Sequence, residues 1–162
     1  MGVKPRFLAL LAVLLVTTAC RPVDAGRVDT RLTAEALALL RDWDDRRSQA
    51  WTEGDAGALA GLYTPGSRSG RKDRAMLAAY AARGLRVTGL QVQVLDASLR
   101  SRAPGRITLE VTDRVIGAHA VSDAFRIPLP RDRPSTRVIS LRRVAGAWLV
   151  AEVRPVPTPA QP

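Results

Sequence analysis

The 162-residue sequence predicts an α+β fold, in which three N-terminal helices pack on a curved, mostly antiparallel sheet of four or slightly more strands. Up to Arg83, apolar residues recur at three-and-four spacing, which is typical of amphipathic helices. After Gly84, apolar and polar residues alternate, which is typical of strands with one buried face. Because helices and strands are segregated along the chain, we expect the helices to cover one face of the sheet.

Each predicted helix has a capping residue or a glycine at its ends. The first is expected to begin at Thr33, a good N-cap, and to end at Gly54, which can adopt the left-handed conformation at little cost. Asp55 is expected to cap a short second helix, and Asp73 to cap a third that Gly84 stops. The apolar side of the third helix is formed by Met76, Leu77 and Tyr80.

Four strands are predicted from the alternating segments. They comprise residues 91–94, 107–112, 137–144 and 147–153. A turn at 103–105 joins the first two, and Ala145 with Gly146 joins the last two. Residues 122–135 contain three prolines, which lack the N–H group that a strand ladder needs. This segment is therefore expected to be a long connection with at most a short edge strand.

The first twenty residues have the layout of an export signal. Lys4 and Arg6 precede an uncharged apolar run, and Cys20, the only cysteine, follows small residues. This end resembles a bacterial lipobox, in which Ala19 precedes the cut and Cys20 is lipidated. The alternatives are an ordinary cleaved signal peptide and an uncleaved anchor. The apolar run is shorter than the about 20 residues that a transmembrane helix needs, which disfavours a permanent span.

This signal sets the expected organisation of the chain. Residues 1–19 are the signal peptide, 20–31 a flexible tether, 32–154 one domain and 155–162 a proline-rich disordered tail. The domain is expected at the extracytoplasmic face of the cell membrane, anchored through Cys20. Since that cysteine is consumed, no disulfide can support the domain.

The chain is strongly basic, and nearly all of the positive charge is arginine. Loss of the signal would lower the formal net charge from +10 to +8. Such a charge could attract anionic lipid head groups or envelope polymers. A solvated, arginine-rich surface is the favoured explanation of this charge, since no more than two basic residues are adjacent. Export and few aromatic residues disfavour nucleic acid. The candidate interaction loop carries Arg126, Arg131, Arg133 and Arg137.

Several segments resemble the nuclear transport factor 2-like superfamily, which includes SnoaL-like and ketosteroid isomerase-like proteins. Its helix-turn-helix signature is similar to residues 50–55 (AWTEGD) and 58–65 (ALAGLYTP). Its last strand is similar to 146–150 (GAWLV), and the glycine before its third helix to the start of 70–75. The likeness spans about 32–154 and implies a cone of helices wrapped by a bent sheet, with a pocket at the open end. This fold hosts isomerases, dehydratases, hydrolases and non-catalytic proteins, so function must come from the site.

The resemblance also implies three functional positions in the isomerase branch, and this chain has none of them. A general-base carboxylate is expected just after the second helix, but no acidic residue lies between Asp55 and Asp73. A tyrosine of the first helix corresponds to Arg47. An acid on a strand corresponds to Val138. The chain therefore favours a protein that is not an enzyme.

Two charged residues remain as candidates for a site. Asp113 shares its parity with the apolar residues of its strand, and Arg47 lies on the apolar stripe of the first helix. A buried charge needs a partner, so we hypothesise that these two side chains pair inside the cone. A structural ion pair is favoured over a catalytic one. A β-bulge that turns Asp113 outward is the third possibility.

No metal or cofactor is expected. His119, the only histidine, has no cysteine or second histidine with which to share a metal. Three acidic residues of the first helix, Asp42, Asp44 and Asp45, are expected on a solvated face with neighbouring arginines.

Three functions follow in order of preference. The first is a non-catalytic envelope lipoprotein that binds a protein partner or a small apolar ligand. The second is a divergent pocket enzyme, of isomerase or dehydratase type, with Asp113 as acid or base and Arg47 as electrostatic stabiliser. The third is a basic adaptor for anionic lipids or envelope polymers.

Overall fold

A computed structural model describes residues 25–157, with side chains from residue 30 onward. In this part of the chain, three helices precede five strands, as predicted. The helices are α1 (Ala25–Glu53), α2 (Ala56–Gly61) and α3 (Arg68–Ala81). The strands are β1 (Arg86–Ala103), β2 (Arg106–Val121), β3 (Arg126–Pro128), β4 (Ser135–Val144) and β5 (Ala147–Pro155). Cys20, the predicted signal and residues 158–162 lie outside the described residues.

The strands form one antiparallel sheet with β2 at its centre. The order is β1-β2-β4-β5, and β3 pairs with the end of β2 that β4 does not reach. Pairing between β1 and β2 shifts register at several points, one of them beside Gly89, whose φ is 66°. Such bulges bend a strand and increase its twist, so the sheet curves toward the helices. The short β3 is the edge strand expected within 122–135.

The core lies between α1 and the inner face of this sheet. On β2, Ile107, Leu109 and Val111 alternate with polar residues and are all but inaccessible to solvent. The helix contributes Ala36, Leu40, Trp43, Ala50 and Trp51. The Ser48 hydroxyl donates to the Leu90 carbonyl oxygen at 2.9 Å, which attaches α1 to the first strand. None of the described helices is both long and apolar enough to cross a membrane.

The first helix begins well before Thr33, so the predicted N-cap is wrong. Residues 25–31, which were expected in a flexible tether, belong to α1. At the end of this segment Arg31 pairs with Glu35 of the next turn at 3.5 Å. The other end is as predicted, since α1 stops at Gly54 with a φ of 70°. Asp55 then caps α2 by accepting from the N–H groups of Gly57 and Ala58, both at 2.8 Å.

The N-cap of the third helix is Ser67, and not Asp73 as the sequence predicted. The Ser67 hydroxyl accepts from the Gly70 N–H at 3.1 Å, which leaves Asp73 inside the helix and buried. Gly70 is required by a close approach, because a Cβ there would lie 2.6 Å from Cγ of Tyr63. Met76, expected inward, is 52% exposed.

The closing hairpin forms around Ala145 and Gly146 as predicted. However, β5 continues through Pro155, and the Val156 N–H donates to the Thr136 carbonyl oxygen at 2.9 Å. Pro155 and Val156, which were expected in a disordered tail, therefore belong to the edge of the sheet.

Candidate functional site

A cavity of about 470 Å³ lies between the helices and the inner face of the sheet. Its volume falls within the range of about 300 to 1,000 Å³ that small-molecule sites occupy. Most of its wall is aromatic or aliphatic, including Trp43, Trp51, Tyr80, Leu90, Val115 and Leu129. Four charged residues also line it: Asp44, Arg47, Asp132 and Arg137. The partners of these charges decide what the cavity can do.

Arg47 extends from α1 into this wall and pairs with Asp73 of α3, not with Asp113. Its Nε donates to Asp73 Oδ2 at 2.7 Å, and its Nη2 donates to Oδ1 at 2.6 Å. The pair is bidentate, which is the strongest arrangement of guanidinium and carboxylate. The predicted pair of Arg47 and Asp113 is therefore wrong. The wrong pairing follows from the predicted start of the third helix. As an N-cap, Asp73 would lie at the surface, so it was not considered as a partner of the buried Arg47.

Asp73 joins two further side chains to this ion pair. The indole N–H of Trp51 donates to Oδ1 at 3.2 Å, and the Tyr63 hydroxyl donates to Oδ2 at 2.7 Å. Burial opposes the charge of Arg47, but its hydrogen bonds and charge interaction with Asp73 prevail and raise its pKa. Burial, together with the charge of Asp73, also raises the pKa of Tyr63. Each of the four side chains in this network has a hydrogen-bond partner within it. The network joins α1, α3 and the segment after α2.

Asp113 faces the interior, as its parity predicted, and is 3% exposed. Its partner is Arg137 on the adjacent strand β4, whose Nη2 donates to Asp113 Oδ2. The register pairs Asp113 with Ser135, so Arg137 is the diagonal neighbour two residues along, within reach of a long side chain. Arg137 was expected on an exposed interaction loop. Arg137 was also the first residue of the predicted strand 137–144, and it does lie in β4. It points inward, because its parity on that strand is that of buried Ile139 and Leu141.

Two charged side chains of the cavity have no direct partner among the described residues: Asp132, which is exposed, and Asp44, which is not. Asp44 is therefore the less solvated of the two. It lies one turn before Arg47 on α1 and is half-buried. Within residues 30–157 it makes no hydrogen bond or ion pair. Burial raises its pKa to about 6; the charges of Arg47 and Arg137 oppose this rise, and those of Asp113 and Asp45 add to it. Carboxyl groups perturbed in this way, in a cleft, are frequent at functional sites.

Asp44 was expected on a solvated face, which is wrong, because it is half-buried and lines the cavity. Asp42 does lie there, and its carboxylate pairs with Arg46 at 2.7 Å. Asp44 differs because it follows Leu40 by four residues and precedes Arg47 by three, so it belongs to the inward stripe. The spacing that placed Arg47 inside could also have identified Asp44.

The remaining arginines of the interaction loop, Arg126, Arg131 and Arg133, are exposed. An Nη2 of Arg126 lies 3.3 Å from Nδ1 of His119. No group of three or more histidine, cysteine, aspartate or glutamate residues in the described part of the chain could hold a metal ion.

No family model and no curated protein matches this chain. Solved structures do match it in fold. The intermembrane space region of the chloroplast protein ARC6 is 16% identical with a TM-score of 0.57, over 78% of this chain and 97% of that one. Aln2 from a Streptomyces species is 15% identical with a TM-score of 0.52, over 75% and 89% of the two chains. A protein from Catenulispora acidiphila is 14% identical with a TM-score of 0.51, over 76% and 91%.

At these identities the likeness concerns the fold alone. The three helices, the curved antiparallel sheet and the cavity between them agree with the resemblance noted in the sequence. The chain therefore has the α+β cone fold of nuclear transport factor 2-like proteins.

Proposed function

We propose that this protein is a lipid-anchored, extracytoplasmic binding protein whose cone-shaped domain holds a small, largely apolar ligand without transforming it. The observation that supports this proposal is the cavity between the helices and the sheet. Its volume suits a small molecule, its wall is mostly aromatic and aliphatic, and only a few polar groups interrupt that wall. A concave site of this kind favours a small ligand over a protein partner.

The two other functions have less support. A pocket enzyme would need Asp113 and Arg47 free to act on a substrate. Asp113 is instead bound to Arg137, and Arg47 is held by two hydrogen bonds to Asp73. The hypothesis of a basic adaptor is weakened because Arg137, one of the four arginines of its interaction loop, points inward. Both ion pairs are better explained as structural contacts.

The cavity is expected to bind the uncharged fluorescent probe N-phenylnaphthylamine. Val115 of β2 lines the cavity, so Val115→Phe should fill part of it and weaken the probe's affinity about tenfold or more, because the added ring occupies ligand space. Probe emission during titration of the purified full chain measures this affinity. Circular dichroism establishes that the variant is folded.

Val144→Phe is the matched control, since Val144 is an exposed residue at the end of β4, outside the cavity wall. It should leave the affinity unchanged. Equal affinity of both variants and the unaltered chain would place the probe outside the cavity and contradict the proposal. So would a complete lack of binding by the unaltered chain.

The anchor is tested separately. Cys20 is the only cysteine, so any thioether-linked lipid must be attached to it. The unaltered chain should incorporate radiolabelled palmitate and sediment with membranes, whereas Cys20→Ala should do neither, because diacyl attachment provides the stable anchorage. Labelling of the Cys20→Ala variant to the same extent would refute lipidation at this residue.

A further inference from the structure

We propose that the ligand of this cavity is an organic cation, a protonated amine on an apolar body, and that Asp44 binds its ammonium group. This inference rests on the proposed function, since it names the chemical class of the ligand that the cavity takes. It follows from the charges that remain once the internal ion pairs are accounted for.

Both arginines of the cavity wall are already neutralised. Arg47 shares its charge with Asp73 through two hydrogen bonds, and Arg137 is bound to Asp113. The carboxylates of Asp44 and Asp132 are then left in excess. The cavity is therefore acidic, although the chain as a whole has a formal net charge of +10.

Asp44 is also in an environment that an ammonium group would improve. Its carboxylate stands beside apolar side chains of the sheet, including Leu90 and Val92, with no donor from the described residues. An unpaired carboxylate in such a place is unfavourable, and its raised pKa reflects this. A cationic N–H donor would form a charge-assisted hydrogen bond, which is roughly twice as strong as a neutral one.

An anionic ligand is disfavoured by the same arrangement. Arg137 has one N–H group, on Nε, without a partner among the described residues, but its charge is matched by Asp113. Arg41 borders the second cavity beside Asp44, where Asp44 and Asp45 outnumber it. An anion placed beside it would also be repelled by Asp44, whose pKa responds to both Arg137 and Asp113. Asp45 and Asp132 add further negative charge on the sides of α1 and of the connection before β4. Like-charge contacts of this kind select strongly against the wrong ligand.

The position of Asp44 leaves room for the apolar body. Asp44, Leu90 and Val92 border both this cavity and a second, slightly larger one of about 510 Å³, which Arg41 and Asp45 also line. An ammonium group at Asp44 could therefore carry a chain or ring into either space. The aliphatic residues of β1 would contact that body.

Three probes of matched shape test the inference: 4-phenylbutylamine, 4-phenylbutanol and 4-phenylbutyrate. Each is titrated against the purified full chain at pH 7.5 and low salt, by displacement of N-phenylnaphthylamine. The amine should bind about tenfold tighter than the alcohol, and the carboxylate more weakly than either. In Asp44→Asn the advantage of the amine over the alcohol should disappear, while the affinity for the alcohol is kept.

Asp42→Asn is the control, because it removes the same charge from the same helix at an exposed position outside both cavities. It should keep the preference for the amine. Equal preference in Asp44→Asn and the unaltered chain, or tighter binding of the alcohol or carboxylate, would overturn the inference while leaving the binding function intact. Failure of all three probes to displace N-phenylnaphthylamine from a filled cavity would overturn the ligand class as well, and failure of that probe to bind would overturn the proposed function itself.

Discussion

Asp73→Ala is expected to lower the free energy of unfolding by about 3 to 5 kcal/mol, because it removes one partner of a buried ion pair and leaves the other charge uncompensated. The Asp73 side chain is only 6% exposed, and it accepts hydrogen bonds from Arg47, Trp51 and Tyr63. The variant thus strands a guanidinium, an indole N–H and a phenolic hydroxyl at once. Urea unfolding followed by tryptophan fluorescence measures the change.

Two comparisons isolate the cause. Asp42→Ala breaks the exposed pair with Arg46 on the same helix and should cost less than about 1 kcal/mol. The double variant Arg47→Met with Asp73→Leu should recover part of the loss, since no unpaired charge remains inside. A single Asp73→Ala variant as stable as Asp42→Ala would show that the network does not stabilise the fold.

The network around Asp73 also shows which features of the site sequence patterns can predict. Strand parity correctly predicted that Asp113 is buried, and helix periodicity correctly predicted that Arg47 points inward. Parity and periodicity each describe one element, and neither says which element lies opposite. The partner of Arg47 depends on α3, whose N-cap had been predicted at Asp73 and is in fact Ser67. An error of a few residues at one helix end therefore moved a buried partner to the predicted surface.

Asp113 illustrates a second limit. Its partner, Arg137, lies on β4, two residues along from the position directly opposite. That contact depends on the register between β2 and β4, and the connection 122–135 leaves this register open in the sequence. Arg137 was counted with the exposed loop because it was the first residue of the predicted strand 137–144, whereas β4 begins two residues earlier, at Ser135. The segments that carried the family resemblance, in contrast, predicted the cone fold correctly.

The stability of the fold is expected to depend on pH through Asp44. Its pKa is about 6 in the folded protein against an ordinary value of 3.8, so the folded state binds this proton more tightly than the unfolded state does. Stability from this group is complete below about pH 4, falls as the pH rises toward 6, and stays low above it. Each tenfold change in proton affinity is worth about 1.4 kcal/mol, which sets an upper bound of roughly 3 kcal/mol. Water in the open cavity reduces this to about 1 to 2 kcal/mol.

Asp44→Asn should therefore raise the free energy of unfolding by about 1 to 2 kcal/mol at pH 7.5 and change it little at pH 4, because a neutral amide avoids burial of the charge. Urea unfolding at both pH values measures the difference. Asp42→Asn should bring no gain at pH 7.5, since its carboxylate is exposed and paired with Arg46. A loss of stability in Asp44→Asn at pH 7.5 would mean that the carboxylate supports the fold. A gain of stability in Asp44→Asn, together with loss of its preference for the amine, would show that Asp44 favours ligand binding at the expense of stability. Such a trade-off is expected of a binding residue.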